Sequence, residues 1–325
     1  MKRLLFVMAG VALGMACSGR PESEIATPTG PAGGTDGAGT VRKADAGAVR
    51  AINGLITVVN GETDQPVSGA SVTVSGRPFT TDASGQFTAP DPVLPDAAVE
   101  ITASGFLKRE TLARTDARFA LWPDKSGFPQ AYTQEAIYAP GFTAESKLTR
   151  PAAPATIVFS PEVDAEAQAA VRDAAALLTA ANGGQIGFSV GAPSAVTITI
   201  KINGAHPFFA ANPGAQAAAE VPFFGNTIGA SNGTITFKDA GASHIRALVA
   251  HEFGHHFGLS HPTIISGMMN ATVDANRSDY SDAEKLAMRM MLKRRPGNSF
   301  PDNDRAVVAA ALGRGLMIYV CELGR

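Results

Sequence analysis

The sequence predicts a multidomain chain, an all-β sandwich followed by an α+β domain built on a twisted mixed sheet. Three observations predict it. Over residues 51–122, short runs of Val, Ile and Thr are separated by Gly, Pro, Asp and Asn. From about residue 155, strand-like runs alternate with helices that carry one apolar stripe. Between 251 and 261, histidines recur at the spacing of a helix turn. A chain of 325 residues with 45% hydrophobic content holds two cores and tails. Charged residues make up 17% and the net charge is −2, so no basic surface points to nucleic acid or to an anionic membrane.

In chain order, Lys2 and Arg3 precede the apolar run Leu4–Leu13 and then Gly14-Met15-Ala16-Cys17. That run suits the apolar region of a signal peptide better than a spanning helix. Its end resembles a bacterial lipobox, with Gly14 where that pattern prefers Leu; the resemblance implies lipid on Cys17. Export to the cell envelope as a lipoprotein is expected, with plain secretion as the alternative, and the only membrane contact expected is that anchor. Residues 18–50 are small and polar and read as a disordered tether with a reach on the order of 30 Å.

In 51–122 the expected strands are Leu55–Val59, Ser71–Ser75, Gln86–Ala89, Val99–Ala103 and Arg118–Leu121, with a turn at Asp82–Gly85. Residues 123–154 form a connector with five prolines, too rich in aromatics (Phe128, Tyr132, Tyr138, Phe142) for a free linker. Trp122 is expected at the junction.

The α+β domain, 155–325, opens with a strand over Thr156–Phe159. A helix follows, capped by Ser160 with Pro161 at its first position. Val163, Ala167, Ala170, Val171, Ala174, Leu177 and Leu178 make its stripe, and Asn182-Gly183-Gly184 ends it. Gln185–Val190, Val196–Ile202 and Gly233–Phe237 read as strands. Residues 203–232 read as loop, with the paired phenylalanines Phe208-Phe209 and Phe223-Phe224 either lining a cleft or covering the sheet. Ser281-Asp282-Ala283-Glu284 is a capping box, and Ala283, Leu286, Ala287, Met290 and Met291 face the core of the helix behind it. Asp304 is expected to cap a helix through Ala311, and Leu316–Cys321 to form a terminal strand.

The chemistry concentrates in His251–His261, H-E-F-G-H-H-F-G-L-S-H. On a helix starting near Ser243, His251 and His255 leave one face a turn apart and can share a zinc ion. Glu252 is placed as general base toward a water activated by the ion. Gly258 ends the helix through a positive φ, so the returning chain brings His261 as third ligand. No cysteine is near in sequence, which leaves a fourth position for water. His244 and His256 leave the helix in other directions, and His206 sits on a loop; none is expected to bind the ion. Asp302 and Asp304 could bind calcium, but an exposed turn explains them better.

This stretch resembles the signature of the metzincin zinc metallopeptidases, with the matrixin-like branch nearest. The resemblance implies a methionine turn beneath one catalytic Zn2+, and the sequence offers Met269 (or Met268). Asn270-Ala271 stands where matrixins have Tyr-Pro, so no tyrosine role carries over. Matrixin zymogens often block zinc with a propeptide cysteine; none lies between Cys17 and Cys321, so that latency is not expected. The segment Pro66–Val74, Thr81–Phe87 and Ala103–Phe106 resembles the carboxypeptidase regulatory-like domain, a transthyretin-like sandwich with an accessory role. The activity expected is a zinc-dependent endopeptidase acting on extracytoplasmic proteins or peptides; the alternatives are a catalytically silent binding or adhesion lipoprotein using the sandwich, and a closed structural zinc site.

Overall fold

The computed structural model describes residues 54–324 except 90–92, 95–96, 114–117, 126–127, 139–146, 152, 225–226, 229–231, 301 and 305–313. The leader with Cys17, the tether, Phe142 and the helix expected after Asp304 lie outside the described residues. The described part is a mixed α and β structure with three sheets and six helices.

The first two sheets are built from β1 (Leu55–Asn60), β2 (Ser71–Val74), β3 (Arg77–Thr80), β4 (Gln86–Thr88), β5 (Ala98–Thr102), β6 (Arg109–Leu112) and β7 (Arg118–Leu121). One has the order β4-β1-β7 and the other β3-β2-β5-β6. Alternation puts Ile56 and Val58 of one sheet, and Val72, Val74, Val99 and Ile101 of the other, into a single apolar cluster with Phe87, Phe119 and Leu121. At the Asp82 turn, the carboxylate accepts from Ser84 N and Gln86 N at 2.8 and 2.9 Å. Gly85 there has φ +68°, and a Cβ would lie 2.5 Å from Val58 O. Strands β3 and β6 were not expected. Both are rich in polar or charged residues, and their pairing with β2 and β5 supplies what their composition lacks.

Beyond β7, Trp122 is fully buried, with Lys293 and Arg294 over its ring at 5.8 and 5.6 Å. The connector packs as its aromatics require: Phe128, Tyr132 and Tyr138 join the larger core, and a short helix α1 (Gln130–Ala136) forms within it. A buried charge cluster ties this junction to the C-terminal segment. Arg294 donates to both oxygens of Asp302 at 2.7 and 2.8 Å and to Ala120 O at 2.9 Å. Arg109 and Thr111 donate to Asp304, and Asn298 donates to both aspartates. Asp302 and Asp304 are therefore buried, not on an exposed turn, and their oxygens are committed to protein donors rather than displayed for calcium.

The remaining elements are β8 (Arg150–Pro151), β9 (Ala155–Phe159), α2 (Ala165–Ala181), β10 (Phe188–Val190), β11 (Thr197–Ile202), α3 (Pro207–Ala211), β12 (Ala215–Phe224), β13 (Thr227–Ile228), β14 (Gly233–Phe237), α4 (Ala240–His244), α5 (Arg246–Phe257), β15 (Thr272–Val273), α6 (Asp282–Leu292) and β16 (Arg314–Leu323). They form a nine-stranded sheet with the path β10-β9-β11-β14-β12-β13-β8, and β16 pairs with both β12 and β15. Strands β10, β9, β11 and β14 run parallel, and β12 is antiparallel to β14.

Two expectations are corrected. Helix α2 starts at Ala165, where Asp164 accepts from Ala167 N at 2.8 Å; Ser160 Oγ instead donates to Ile200 O and secures the end of β9. The stretch read as loop contains the ten-residue strand β12. Its alanines have little intrinsic strand preference, but Ala217, Ala218 and Ala219 are buried between β14 and β16, and pairing on both sides decides. Of the paired phenylalanines, Phe209 is buried in α3 and Phe223 packs against the core.

Candidate metal centre

Helix α5 carries the site and lies inside the larger core, packed against α2 and β12. Leu248, Val249, Phe253 and Phe257 fill the space around it. The helix expected from Ser243 is two helices, because Ile245 is extended and separates α4 from α5. Gly258, at φ +102°, closes α5. Gly258 N–H donates to His255 O and Leu259 N–H to Gly254 O, the paired bonds that turn a chain back on itself. The connector then fixes the returning strand of chain: Ser260 N–H donates to Ala136 O at 2.9 Å, and Thr263 N–H to Glu135 at 2.5 Å.

His261 is thereby set beside the helix. Its Nε2 is 3.1 Å from His251 Nε2, which is 3.0 Å from His255 Nε2. The opposite ring nitrogens are anchored: His251 Nδ1 on Met268 O at 2.6 Å, His255 Nδ1 on Leu259 O at 2.9 Å. A carbonyl can only accept, so each Nδ1 carries the hydrogen and each Nε2 presents a lone pair to the centre. Burial reinforces this by pushing His251 down to about 4, His261 to about 3, and His255 well below its ordinary value. Three imidazoles that burial favours as neutral, two of them with the Nε2 lone pair fixed toward the centre, are a set of metal donors.

The fourth donor is Cys321, on β16. Its Sγ lies 3.1 Å from His251 Nε2, 3.6 Å from His255 Nε2 and 3.8 Å from His261 Nε2. All four donor atoms lie within 4.8 Å of one another. The place expected for water holds a thiol, and this is the main correction to the sequence reading. The nearest cysteine is 60 residues downstream of His261, and only the return of β16 brings it in. Two residues earlier, Tyr319 lies flat on the His255 ring, with centroids 3.7 Å apart and an interplanar angle of 4°.

Glu252 is fully buried on α5 between the two helical histidines in sequence. Both methionines of the turn are buried, with different tasks. Met268 supplies the carbonyl that holds His251. Met269 sets its sulfur against Gly254, where a Cβ would strike it. The turn is tied down in turn by α6. Glu284, buried in the capping box with Ser281, accepts from Met269 N at 2.6 Å.

The other histidines lie elsewhere. His244 bonds both oxygens of Asp164 at 3.0 Å, and His206 caps α3. His256 faces away from the centre into a small apolar cavity lined by Phe188, Ile198 and Pro222, and Gly233 is needed for its ring to fit.

The fold and site thus define a mixed α/β protein with a largely buried His-His-His-Cys cluster able to hold a metal ion. No protein-family model matches the chain, and no curated protein does. Among solved structures, one described as "Structure of CpGH84D" is 17% identical over 37% of this chain, with a TM-score of 0.21. The chain spans 20% of the length of that structure, and so slight a likeness carries no argument.

Proposed function

We propose that the chain is a zinc-dependent endopeptidase of the metzincin type. The observation that carries the reading is the convergence of three imidazoles, two of them anchored through Nδ1, with His251 Nε2 3.0 Å from His255 Nε2 and 3.1 Å from His261 Nε2, and with Glu252 on the helix that bears His251 and His255. Zinc–nitrogen bonds of about 2.0–2.1 Å at tetrahedral angles place ligand nitrogens about 3.3 Å apart, and a zinc–sulfur bond of about 2.3 Å places the sulfur about 3.6 Å from each. The donor set fits that geometry.

When bound, zinc supplies Lewis acidity toward a water and a peptide carbonyl. The chain's own residues do the rest. Met268 O and Leu259 O hold two imidazoles in the ligating tautomer. Glu252 accepts the proton of the attacking water and returns it to the departing amine. Residues 51–122, with two sheets sharing one core, are read as the regulatory-like sandwich in an accessory role. Export, with a lipid anchor at Cys17, rests on the N-terminal sequence alone.

A second reading has a specific observation in its favour. With Cys321 as fourth ligand the site is closed, as structural zinc sites are. The test is cleavage of a mixed peptide library by the purified chain and by a form whose C-terminal strand is removed, each beside Glu252→Gln and a chelator control. Cleavage abolished by Glu252→Gln with zinc still bound supports the peptidase. Absence of cleavage in both forms, with metal removal unfolding the chain, supports the structural site.

A further inference from the structure

We propose that β16 is an internal occupant of the peptide-binding groove, and that it keeps the centre latent by placing Cys321 where water must enter. The inference rests on the peptidase reading and concerns how that site is regulated.

Strand β16 crosses the site rather than merely finishing the sheet. Along one edge it pairs antiparallel with β12, setting Met317 opposite Val221, Tyr319 opposite Ala219 and Cys321 opposite Ala217. At its far end it pairs parallel with β15, where Glu322 meets Thr272 and Leu323 meets Val273. Strand β15 directly follows the methionine turn. Strand β16 therefore joins the sheet at β12 to the chain that follows the methionines, with the histidines' Nε2 atoms against its Cys321. An extended peptide bound by strand addition would take this path, with main-chain pairing for affinity and alternate side chains for specificity.

The side chains match an occupant as well. Alternation points Met317, Tyr319 and Cys321 to one buried face, where the ring of Tyr319 covers His255 and the sulfur of Cys321 meets all three imidazole nitrogens. The residues of β12 opposite Tyr319 and Cys321 are alanines, so large groups on the occupant meet small ones on the groove wall. A thiol two residues beyond a stacked tyrosine is thus delivered to the metal position by strand register alone.

Opening combines withdrawal of β16 from β12 with exchange of one donor at the centre. With zinc bound, the Cys321 sulfur would leave and take up a proton from solvent, a water would take its place, and no oxidant or reductant would be involved. The same withdrawal frees the edge of β12 for a peptide. The groove then favours extended peptides with bulky residues at alternate positions, as Met317 and Tyr319 are in the internal strand.

The test uses the zinc-loaded full chain, Cys321→Ala, and a chain lacking 314–325. X-ray absorption at the zinc edge reads the ligands independently of activity. The expected result is one sulfur and three nitrogens in the full chain, and sulfur replaced by oxygen in Cys321→Ala. Peptide cleavage rises at least tenfold in Cys321→Ala and further in the truncated chain. Cys321→Ala trades one small buried side chain for another, so it serves if the truncated chain does not fold. A full chain that shows no sulfur at zinc, or that cleaves as fast as Cys321→Ala, overturns the latency while leaving the peptidase reading standing. Sulfur lost from zinc with no cleavage by either variant overturns both.

Discussion

Glu284→Gln separates the role of the methionine turn from that of the helix cap. The Glu284 carboxylate accepts three bonds: from Met269 N and Ser281 N, each at 2.6 Å, and from Ser281 Oγ at 2.8 Å. Glutamine keeps one oxygen. If it faces Met269 N–H, the amide NH2 abuts Ser281 N–H, and the reverse orientation fails in the other place. Glu284 is fully buried, so water cannot repair the mismatch. Bonds to a charged group contribute about 1.5–3 kcal/mol each, so losing one and opposing two donors costs roughly 2–4 kcal/mol. Part of that loss reaches the metal, because Met268, the neighbour of Met269, holds His251 Nδ1 through its carbonyl. Disturbed support of a ligating histidine typically weakens metal affinity 10–100-fold, to within about a factor of ten. Ser281→Ala is the control: it removes a cap worth about 1 kcal/mol and leaves the Glu284–Met269 bond in place. The assays are urea denaturation of the metal-free protein and zinc competition with a chromophoric chelator. Glu284→Gln should lose both stability and affinity, Ser281→Ala stability alone. If Glu284→Gln were less stable yet bound zinc as tightly as the parent, the turn would not orient His251 and the reasoning would fail.

Three further outcomes are expected. Gly254→Ala gains roughly 1 kcal/mol of helix propensity but drives a methyl into the Met269 sulfur, so overpacking of about 1–3 kcal/mol wins; Met269→Ala added to it should recover most of the loss in thermal unfolding. Arg294→Ala strands the buried carboxylate of Asp302 and should cost about 3–5 kcal/mol, read as a shift of the urea midpoint; an unchanged midpoint would contradict the burial of that pair. In chelator-treated protein, His251 has a folded value of about 4 against 6.5 when unfolded. Acid protonates the unfolded chain first, so stability is complete above 6.5 and is lost as the pH falls toward 4, by on the order of 3 kcal/mol for that group. A urea midpoint unchanged between pH 7 and pH 5 would refute it.

Local signals in the sequence located most of the elements that carry the site. The stripe from Val163 to Leu178 marked α2, alternation marked β11, the run Gly233–Phe237 marked β14, and Ser281 with Glu284 marked the start of α6. Each of these depends on residues within a few positions of one another. Strands β3, β6 and β12 escaped because nothing local distinguishes them. Arg109 is buried only because Asp304 lies beside it, and the alanines of β12 become a strand only between two neighbours. Ser160, read as the cap of α2, instead bonds Ile200 O across the sheet, and the cap falls to Asp164, which the local sequence did not single out.

The same division runs through the candidate metal centre. The sequence by itself determined the His251 and His255 pair, Glu252 between them, Gly258 as the residue that lets the chain reverse, and His261 at the end of that reversal, because helix pitch and a positive φ set those positions over eleven residues. Only the tertiary structure decided what closes the site. Cys321 reaches the imidazoles through the pairing of β16 with β12, a contact across about a hundred residues of chain set by strand register and the fit of Tyr319 on His255. Likewise only folding showed that Met268 acts through its carbonyl and Met269 through its side chain, since adjacent residues on a turn point in different directions. The spacing of candidate donors within a helix is a property of the local backbone; the fourth donor is a property of the packed molecule.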